Sequence, residues 1–298
     1  MELRHLRYFL AICETGSFSR AANLLHVTQP TLSHQIRQLE DELGTALLHR
    51  LGKRSELTPA GEAFRQHCMR AVREVEAGVS AVAELEGLMR GTLSMTVFHA
   101  YSHSLLPSVL SSFAEQYPGV HVVARQLPYQ QMLYNLVDGK IDLAIAYAGP
   151  PHPQVVFEPL FDEPLALVVG ARHPLAGTRS MPMARLADIP LVLLTPEFGA
   201  RAYIDAFFAE RPRRPRIVLE MNAIEPILAT IRDTGLATVL TRGALDGMED
   251  LRMVRLTRPA PRRTAGILWR YNGIRSTPAL KMAEMIKEAY RRHPGGRA

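Results

Sequence analysis

Near the N-terminus, apolar residues recur at helical spacing in two successive stretches. The first stripe comprises Phe18, Ala21, Ala22 and Leu25, and the second comprises Leu32, Ile36, Leu39 and Leu43. Between them His26 and Val27 interrupt the pattern, and Thr28 followed by Pro30 is typical of a helix N-terminus. The pattern predicts two short helices joined by a tight turn over residues 17–43.

The second of these helices has a polar face opposite its apolar stripe. Gln, Arg and Ser side chains can hydrogen-bond the edges of base pairs. The pair is therefore interpreted as a helix-turn-helix, and the alternative is an ordinary helical hairpin with a solvated polar face. The predicted DNA contacts on this helix are Gln29, Pro30, Thr31, Ser33, His34 and Arg37.

Residues 16–36 resemble the signature of LysR-type transcriptional regulators, roughly Gly-Ser-Phe-(Ser/Thr)-x-Ala-Ala-x-x-Leu-x-(Val/Ile)-(Ser/Thr)-Gln-Pro-(Ala/Thr)-(Leu/Val)-Ser-x-Gln-Ile. The chain departs from the family at His34, where Arg or Lys is usual. The resemblance implies a winged helix-turn-helix, with residues 48–58 as the wing hairpin and Gly52 in its turn. Arg50, Lys53 and Arg54 are predicted to contact phosphates or the minor groove, and the alternative is a solvated charged turn.

A long helix is predicted after the wing, because Thr58 and Pro59 suit its start and no proline follows until after Met89. A heptad-like seam runs along Val72, Val75, Val79, Val82 and Met89, with Glu86 in one seam position. Such a helix is about 45 Å long. We interpret residues 59–90 as a dimerisation linker, and the alternative is a surface helix packing only within its own chain.

From residue 91 onward, short apolar strands alternate with helices, which predicts a parallel sheet with crossover helices. The family resemblance covers this part too and implies a periplasmic-binding-protein-like effector domain of two α/β subdomains, joined by crossover strands near 161–165 and 264–270. The predicted fold class is α+β and multidomain. Its parts are a winged helix-turn-helix (1–58), a linker helix (59–90), effector subdomain I (91–162 and 266–298) and subdomain II (163–265).

Ligands of open α/β sheets bind beyond the carboxyl ends of the strands. Polar loops at such positions predict an effector site for a small anion or carboxylate, with contacts from Ser102, His103, Ser104, Tyr147, Thr195, Phe198, Arg201 and Thr241. The Glu-Phe-x-x-Arg run at 197–201 resembles the branch that includes the regulator of cyanate metabolism. No cofactor is predicted. A metal site at His99 and His103 is disfavoured because no Cys, Asp or Glu lies near them in sequence.

Composition narrows the class of protein further. The net charge is +6, yet residues 1–58 hold seven Lys and Arg against six Asp and Glu, whereas residues 201–298 hold nineteen against ten. Net charge alone would therefore misplace the DNA site. The two cysteines, Cys13 and Cys68, suit small core residues in a reducing compartment, and redox sensing is the alternative.

The favoured function is a ligand-responsive transcriptional regulator without chemistry of its own. Its expected partners are double-stranded DNA with an inverted-repeat operator, RNA polymerase and further copies of the chain, as a homodimer and then a homotetramer. No apolar run approaches a membrane span, and the charged N-terminal helix lacks a signal-peptide core, so a cytoplasmic location is expected. The rivals are a solute-binding protein and an enzyme, although phosphate-loop, dinucleotide and nucleophile-elbow motifs are absent.

Overall fold

The computed structural model describes residues 1–51, 54–85, 89–98, 106–245 and 247–292. Contacts divide the chain into two compact units, Met1–Leu88 with Asp138–Lys140, and Met89–Val137 with Ile141–Ala298. The elements of the first unit are α1 (Leu3–Thr15), α2 (Phe18–Leu24), α3 (Gln29–Leu43), β1 (Leu48–Leu51), β2 (Arg54–Leu57) and α4 (Pro59–Leu85).

The core of the first unit confirms the helical stripes, with one exception. Leu32, Ile36 and Leu39 of α3 are fully buried, and they pack with Phe9 and Ile12 of α1. Leu43, predicted to face inward, is 38% exposed. It is the last residue of α3, and Gly44 after it adopts the left-handed conformation (φ 68°), so the chain turns away there.

Helix α4 packs its N-terminal half against α1 and exposes valines further along. Gly61 lies so close to the wing that an added Cβ would sit 2.0 Å from the carbonyl oxygen of Leu47. Val72 is buried within the unit, in contrast to the predicted seam, because it belongs to the core that α4 shares with α1. Val75, Val79 and Val82 are exposed. Met89 is not helical, so the helix ends earlier than predicted, and Glu86 lies outside the described residues.

The second unit begins with α/β alternation as predicted and adds strands that the pattern did not predict. Its helices are α5 (Leu106–Gln116), α6 (Tyr129–Val137), α7 (Gly199–Phe208), α8 (Ile224–Arg232) and α9 (Thr277–Arg292). Its strands are β3 (Gly91–Val97), β4 (Val120–Gln126), β5 (Leu143–Tyr147), β6 (Val155–Gly170), β7 (Ser180–Pro182), β8 (Pro190–Leu194), β9 (Arg216–Met221), β10 (Ala237–Thr241), β11 (Leu251–Thr257) and β12 (Arg262–Arg270). Strands β7 and β11 and the first half of β6 were not predicted.

The sheet is mixed, which corrects the expected all-parallel arrangement. The strand order is β4-β3-β5-β12-β6-β10-β8-β9, with β11 paired to β6 and β7. The pairs β3–β4, β3–β5 and β8–β9 are parallel, whereas β6 and β12 run antiparallel to their neighbours in that order. These two strands pair with strands distant in sequence, so their direction could not be read from the local alternation of strands and helices.

Strand β6 belongs to both subdomains. Residues 155–164 pair with β12, and residues 165–169 pair with β10. The chain returns at Pro261, whose carbonyl accepts the amide of Leu165 at 2.9 Å, and enters β12 at Arg262. The partner of β6 therefore changes between residues 164 and 165, and β12 begins at residue 262, each within four residues of a predicted boundary (162/163 and 265/266). The pairing places the first part of β12 with subdomain I, whereas the prediction gave it to subdomain II.

Candidate DNA-binding face and effector site

The start of α3 is built by a threonine cap. The Oγ1 of Thr28 accepts the amide of Thr31 at 3.4 Å and lies 2.8 Å from the hydroxyl of the same residue. Pro30 sits in the first turn, where a helix makes no use of the missing N–H. The cap and the proline therefore set the first turn of α3, which carries the predicted base-reading side chains.

Two buried polar contacts hold α3 from behind. His5 of α1 is fully buried, and its Nε2 lies 2.9 Å from Oε1 of Gln35. The carboxylate of Glu40 accepts the amides of Leu47 and Leu48 at 2.8 and 3.1 Å, which ties the wing to α3. Sequence reasoning missed His5 and Glu40, because their partners are set by tertiary contact and not by spacing.

The predicted DNA face lies on the outside of the unit. Five of its residues are exposed, Ser33 is half-buried, and Arg54 of β2 is exposed as well. The five are Gln29, Pro30, Thr31, His34 and Arg37. Gly52, Lys53 and the side chain of Arg50 lie outside the described residues, so their predicted contacts stay predictions. The face combines amide, imidazole and guanidinium groups, which suit base edges and phosphates.

Cys68 lies in the core of this unit, and Cys13 is half-buried against that core. Desolvation raises the pKa of the Cys13 thiol to about 12, and burial likewise raises the pKa of the Cys68 thiol to about 12. Because the thiolate is the reactive form, such thiols are chemically inert at neutral pH. The two cysteines therefore have the properties of small core residues.

In the second unit, two predicted effector residues are in direct contact. Tyr147 at the end of β5 and Thr241 at the end of β10 are buried, and their hydroxyl oxygens lie 2.8 Å apart. The Tyr147 hydroxyl donates to Oε2 of Glu163 at 2.7 Å, and Oε1 of the same carboxylate accepts the amide of Gly243 at 2.7 Å. The network joins subdomain I, the β6 crossover strand and subdomain II, and burial raises the pKa of Tyr147 well above its ordinary value.

Arg263 of β12 lies beside this network. It is paired with Glu163 across the antiparallel strands, and its guanidinium carbon lies 3.9 Å from the centroid of the Tyr147 ring. Its Nη2 also approaches the start of α7, since a Cβ on Gly199 would be 2.4 Å away. The structure thus brings the Tyr147, Thr241 and α7 loops to one place.

Arg201, predicted to bind the effector, is buried and already paired. Its Nε donates to Asp205 at 2.8 Å, and its Nη1 donates to a carboxylate oxygen of Glu220 and to the Leu194 carbonyl, the latter at 3.2 Å. Desolvation acts to lower its pKa, but these two carboxylates raise the pKa above its ordinary value. An anionic effector would have to compete with them, and the contact stays a prediction.

The remaining predicted effector residues are only partly placed. Thr195 and Phe198 are half-buried before α7, and the Thr195 hydroxyl donates to Glu197 at 2.7 Å. Ser102, His103 and Ser104 lie outside the described residues, as does His99. Among the residues that are described, no three His, Cys, Asp or Glu side chains gather as a metal site.

Glu163 and Arg263 were missed by sequence reasoning. Each is a charged residue at the edge of an apolar strand, next to the predicted crossovers at 161–165 and 264–270. Ionisable groups are seldom placed at such positions without partners, and this is the signal that could have found them.

Comparison with known families decides the class of protein. A family model described as "Bacterial regulatory helix-turn-helix protein, lysR family" matches residues 3–62. A second, described as "LysR substrate binding domain", matches residues 86–291. The chain belongs to the LysR family of transcriptional regulators.

Relatives in the LysR family match this chain over nearly its whole length. The RuBisCO operon transcriptional regulator of Allochromatium vinosum is 32% identical over 299 residues, which cover 98% of each chain. A solved structure of full-length OxyR from Pseudomonas aeruginosa has a TM-score of 0.78 at 24% identity, covering 100% of this chain and 97% of that one. Full-length CbnR complexed with its target DNA has a TM-score of 0.67 at 24% identity, covering 97% and 100%. These two structural likenesses show the fold.

As a LysR-family protein, the chain is a DNA-binding transcriptional regulator with a C-terminal effector-binding domain, which confirms the favoured prediction. The relatives are regulators and not enzymes, so the enzyme and solute-binding alternatives are set aside. In the part of the chain that the structure describes, no helix has the length and apolarity to cross a bilayer.

Proposed function

We propose that this LysR-family regulator acts as a dimer that binds an inverted-repeat operator through α3 and the wing, under the control of a small anion bound in its second unit. The observation that carries the DNA part is the division of α3 into two faces. Leu32, Ile36 and Leu39 are fully buried, while the residues on the opposite side are exposed. A helix held so firmly by one face can insert the other into a major groove.

The exposed side chains suggest separate roles in reading DNA. Gln29 can bond adenine and Arg37 can bond guanine bidentately, whereas Arg54 on the wing is suited to phosphates. His34 stands where the family usually has Arg or Lys, so a shorter imidazole ring takes the place of a long cationic side chain. We infer that operator preference at the His34 contact differs from that of relatives.

Dimerisation through α4 is supported by its exposed valines. Val75, Val79 and Val82 are 45%, 65% and 63% exposed, at steps of four and three along one helix face. Pairing two such helices buries this face, and a dimer presents two α3 helices to half-sites about 34 Å apart. We further infer that dimers associate into a homotetramer, that the regulator contacts RNA polymerase, and that it works in the cytoplasm.

Control by a small anion is supported by the polar network between the subdomains of the second unit. Tyr147, Glu163 and Thr241 join both subdomains, so a ligand that alters this network changes their relative arrangement. A ligand shifts such an equilibrium only by its difference in affinity for the two arrangements. The chain has no cysteine after Cys68, so thiol chemistry in the effector domain is not part of this proposal. Membership of the branch that includes the regulator of cyanate metabolism stays a prediction.

The DNA proposal is tested by selecting bound fragments from a random duplex library and measuring affinity for the selected operator and for random DNA. Arg37→Ala should reduce operator discrimination by about 1–3 kcal/mol, while Arg54→Ala should weaken binding to both duplexes and lower the salt slope by about one. Arg70→Ala is the matched control, since Arg70 is exposed on α4 away from the DNA face. Equal losses for Arg37→Ala on both duplexes, or a selected site without an inverted repeat, would contradict the proposal.

The dimer is tested by Val79→Glu, which places a charge in the valine face. Sedimentation should show dissociation of the dimer at concentrations where the wild type stays associated. Gln66→Glu adds the same charge to α4 away from that face and should leave the dimer intact, because Gln66 is exposed in the N-terminal half of the helix. Unchanged association of Val79→Glu would refute the assignment of this face.

A further inference from the structure

Arg263 is a half-buried cation in the middle of the second unit, and its guanidinium makes no hydrogen bond among the described residues. Within the described residues, its contacts are the stacking on the Tyr147 ring, at 3.9 Å, and the electrostatic attraction of Glu163. None of its N–H groups donates to an acceptor there. A guanidinium has five N–H donors, and these are the groups from which an anionic ligand would accept hydrogen bonds.

The nearby carboxylate of Glu163 is shared with other groups. Both oxygens of Glu163 are engaged elsewhere, by the Tyr147 hydroxyl and by the amide of Gly243, each at 2.7 Å. Glu163 attracts the charge of Arg263 across the strand pair, and it does so while holding these two other donors. Desolvation lowers the pKa of Arg263, and the attraction of Tyr147 and Glu163 offsets this only in part.

The position of the guanidinium is set from two sides. The Tyr147 ring holds one face of its plane, and the start of α7 lies so close that a Cβ at position 199 would be 2.4 Å from Nη2 and would displace the guanidinium. The φ angle of Gly199 is not in the left-handed region, so the glycine meets a packing need and not a backbone one. A fixed guanidinium plane favours planar acceptors that bond two N–H groups at once.

We propose that Arg263 is the charged anchor of the effector site, and that it binds the carboxylate of a monoanionic ligand between β12 and the start of α7. This rests on the proposed control by a small anion and replaces Arg201, whose charge Asp205 and Glu220 already neutralise. Glu163 lies close enough to repel a second negative charge, so monocarboxylates are favoured over dianions such as sulfate. Ligand bound at Arg263 also touches the Tyr147 network that joins the subdomains.

The test measures stabilisation of the full chain by sodium acetate, sodium benzoate and sodium sulfate, at ionic strength matched with sodium chloride. Unfolding is followed by the fluorescence of Trp269, the single tryptophan, which lies on β12. Affinity for the better carboxylate is then measured by titration calorimetry. Acetate or benzoate should stabilise the wild type, and sulfate should do so less.

Three variants assign the effect to Arg263. Arg263→Gln should weaken carboxylate affinity at least about tenfold, because a charge-assisted bidentate contact is lost. Arg262→Gln removes the same charge from the exposed neighbour and should bind as the wild type does. Gly199→Ala keeps the charge of Arg263 but displaces its guanidinium, so it should weaken the affinity for carboxylate. The unfolding midpoint of this variant without ligand confirms that it folds.

The proposal is overturned if Arg263→Gln binds carboxylate as tightly as the wild type, if neither carboxylate stabilises the wild type, or if sulfate is as effective. Operator binding is measured on the same preparations, so that a failure of the Arg263 anchor can be distinguished from a failure of the proposed function. If a regulator selects an inverted repeat but its carboxylate affinity does not depend on Arg263, only the anchor is wrong. If the wild type selects no such repeat, the proposed DNA-binding mode itself fails.

Discussion

Replacing Tyr147 by Phe removes one oxygen from the network that joins the two subdomains of the second unit. The Tyr147 hydroxyl has one proton, which it donates to the Glu163 carboxylate at 2.7 Å. The Thr241 hydroxyl at 2.8 Å must therefore donate its own proton to the Tyr147 oxygen. In the Phe variant Glu163 loses a donor, and the buried Thr241 hydroxyl loses its acceptor.

The expected cost follows from the types of bond that are lost. A hydrogen bond to a charged group contributes about 1.5–3 kcal/mol, so Tyr147→Phe should lower the free energy of unfolding of the second unit by about that amount. Thr241→Val loses a neutral bond and should cost about 0.5–1.5 kcal/mol. The double variant has no unsatisfied hydroxyl at position 241, so it should be less destabilised than the sum of the two by about 1 kcal/mol.

Urea unfolding followed by Trp269 fluorescence measures these values, because this buried tryptophan is the only one in the chain and lies in the second unit. Tyr134→Phe is the matched control: Tyr134 is 69% exposed, and its hydroxyl makes no bond within the described residues. It should change stability by less than about 0.5 kcal/mol. If the costs of Tyr147→Phe and Thr241→Val add within about 0.5 kcal/mol, the two hydroxyls do not act as a network and the reasoning is refuted.

Three further predictions concern other buried groups. Thr238→Val should raise the free energy of unfolding by about 1 kcal/mol in the same urea assay. The reason is that the Thr238 hydroxyl is fully buried with no partner among the described residues. A lower free energy of unfolding would mean that this hydroxyl makes a hydrogen bond after all. The thiols of Cys13 and Cys68 have pKa values that burial raises to about 12. They should therefore react with iodoacetamide roughly a thousandfold more slowly in the native chain than after denaturation, as measured by mass spectrometry. Rapid labelling of the native chain would contradict their burial. Desolvation acts to raise the pKa of Glu158, but hydrogen bonds from Lys287 and from the indole N–H of Trp269 lower it overall from its ordinary value of 4.5. The stabilisation that the Glu158 carboxylate provides is therefore complete above pH 4.5. It is lost as the pH falls through the lower pKa of the folded state. Unfolding midpoints of the wild type and Lys287→Met should therefore converge in acid, and a constant difference down to low pH would exclude the ion pair as the cause.

Local periodicity was enough to predict most helices and the side of α3 that is exposed. The Leu32, Ile36 and Leu39 stripe and the Thr28 cap are short-range patterns, so the side of α3 that faces outward follows from the order of residues alone. Strand direction was not predictable in the same way. Strands β6 and β12 are apolar like their neighbours, and only their pairing across more than ninety residues makes them antiparallel.

What the sequence by itself determined is a helix-turn-helix, a helix with a valine face and an α/β effector domain of a known family. Which charges are free to bind a ligand was decided by the tertiary structure. Arg201 follows a polar loop and looked available, yet Glu220 and Asp205 neutralise it. Arg263 had no distinguishing spacing, yet the fold stacks its guanidinium on the Tyr147 ring, and no hydrogen bond from it occurs among the described residues. Electrostatic energy depends on the distance between groups in space, and partners such as Glu163 and Arg263 lie far apart along the chain, so neither local pattern nor composition can assign their roles.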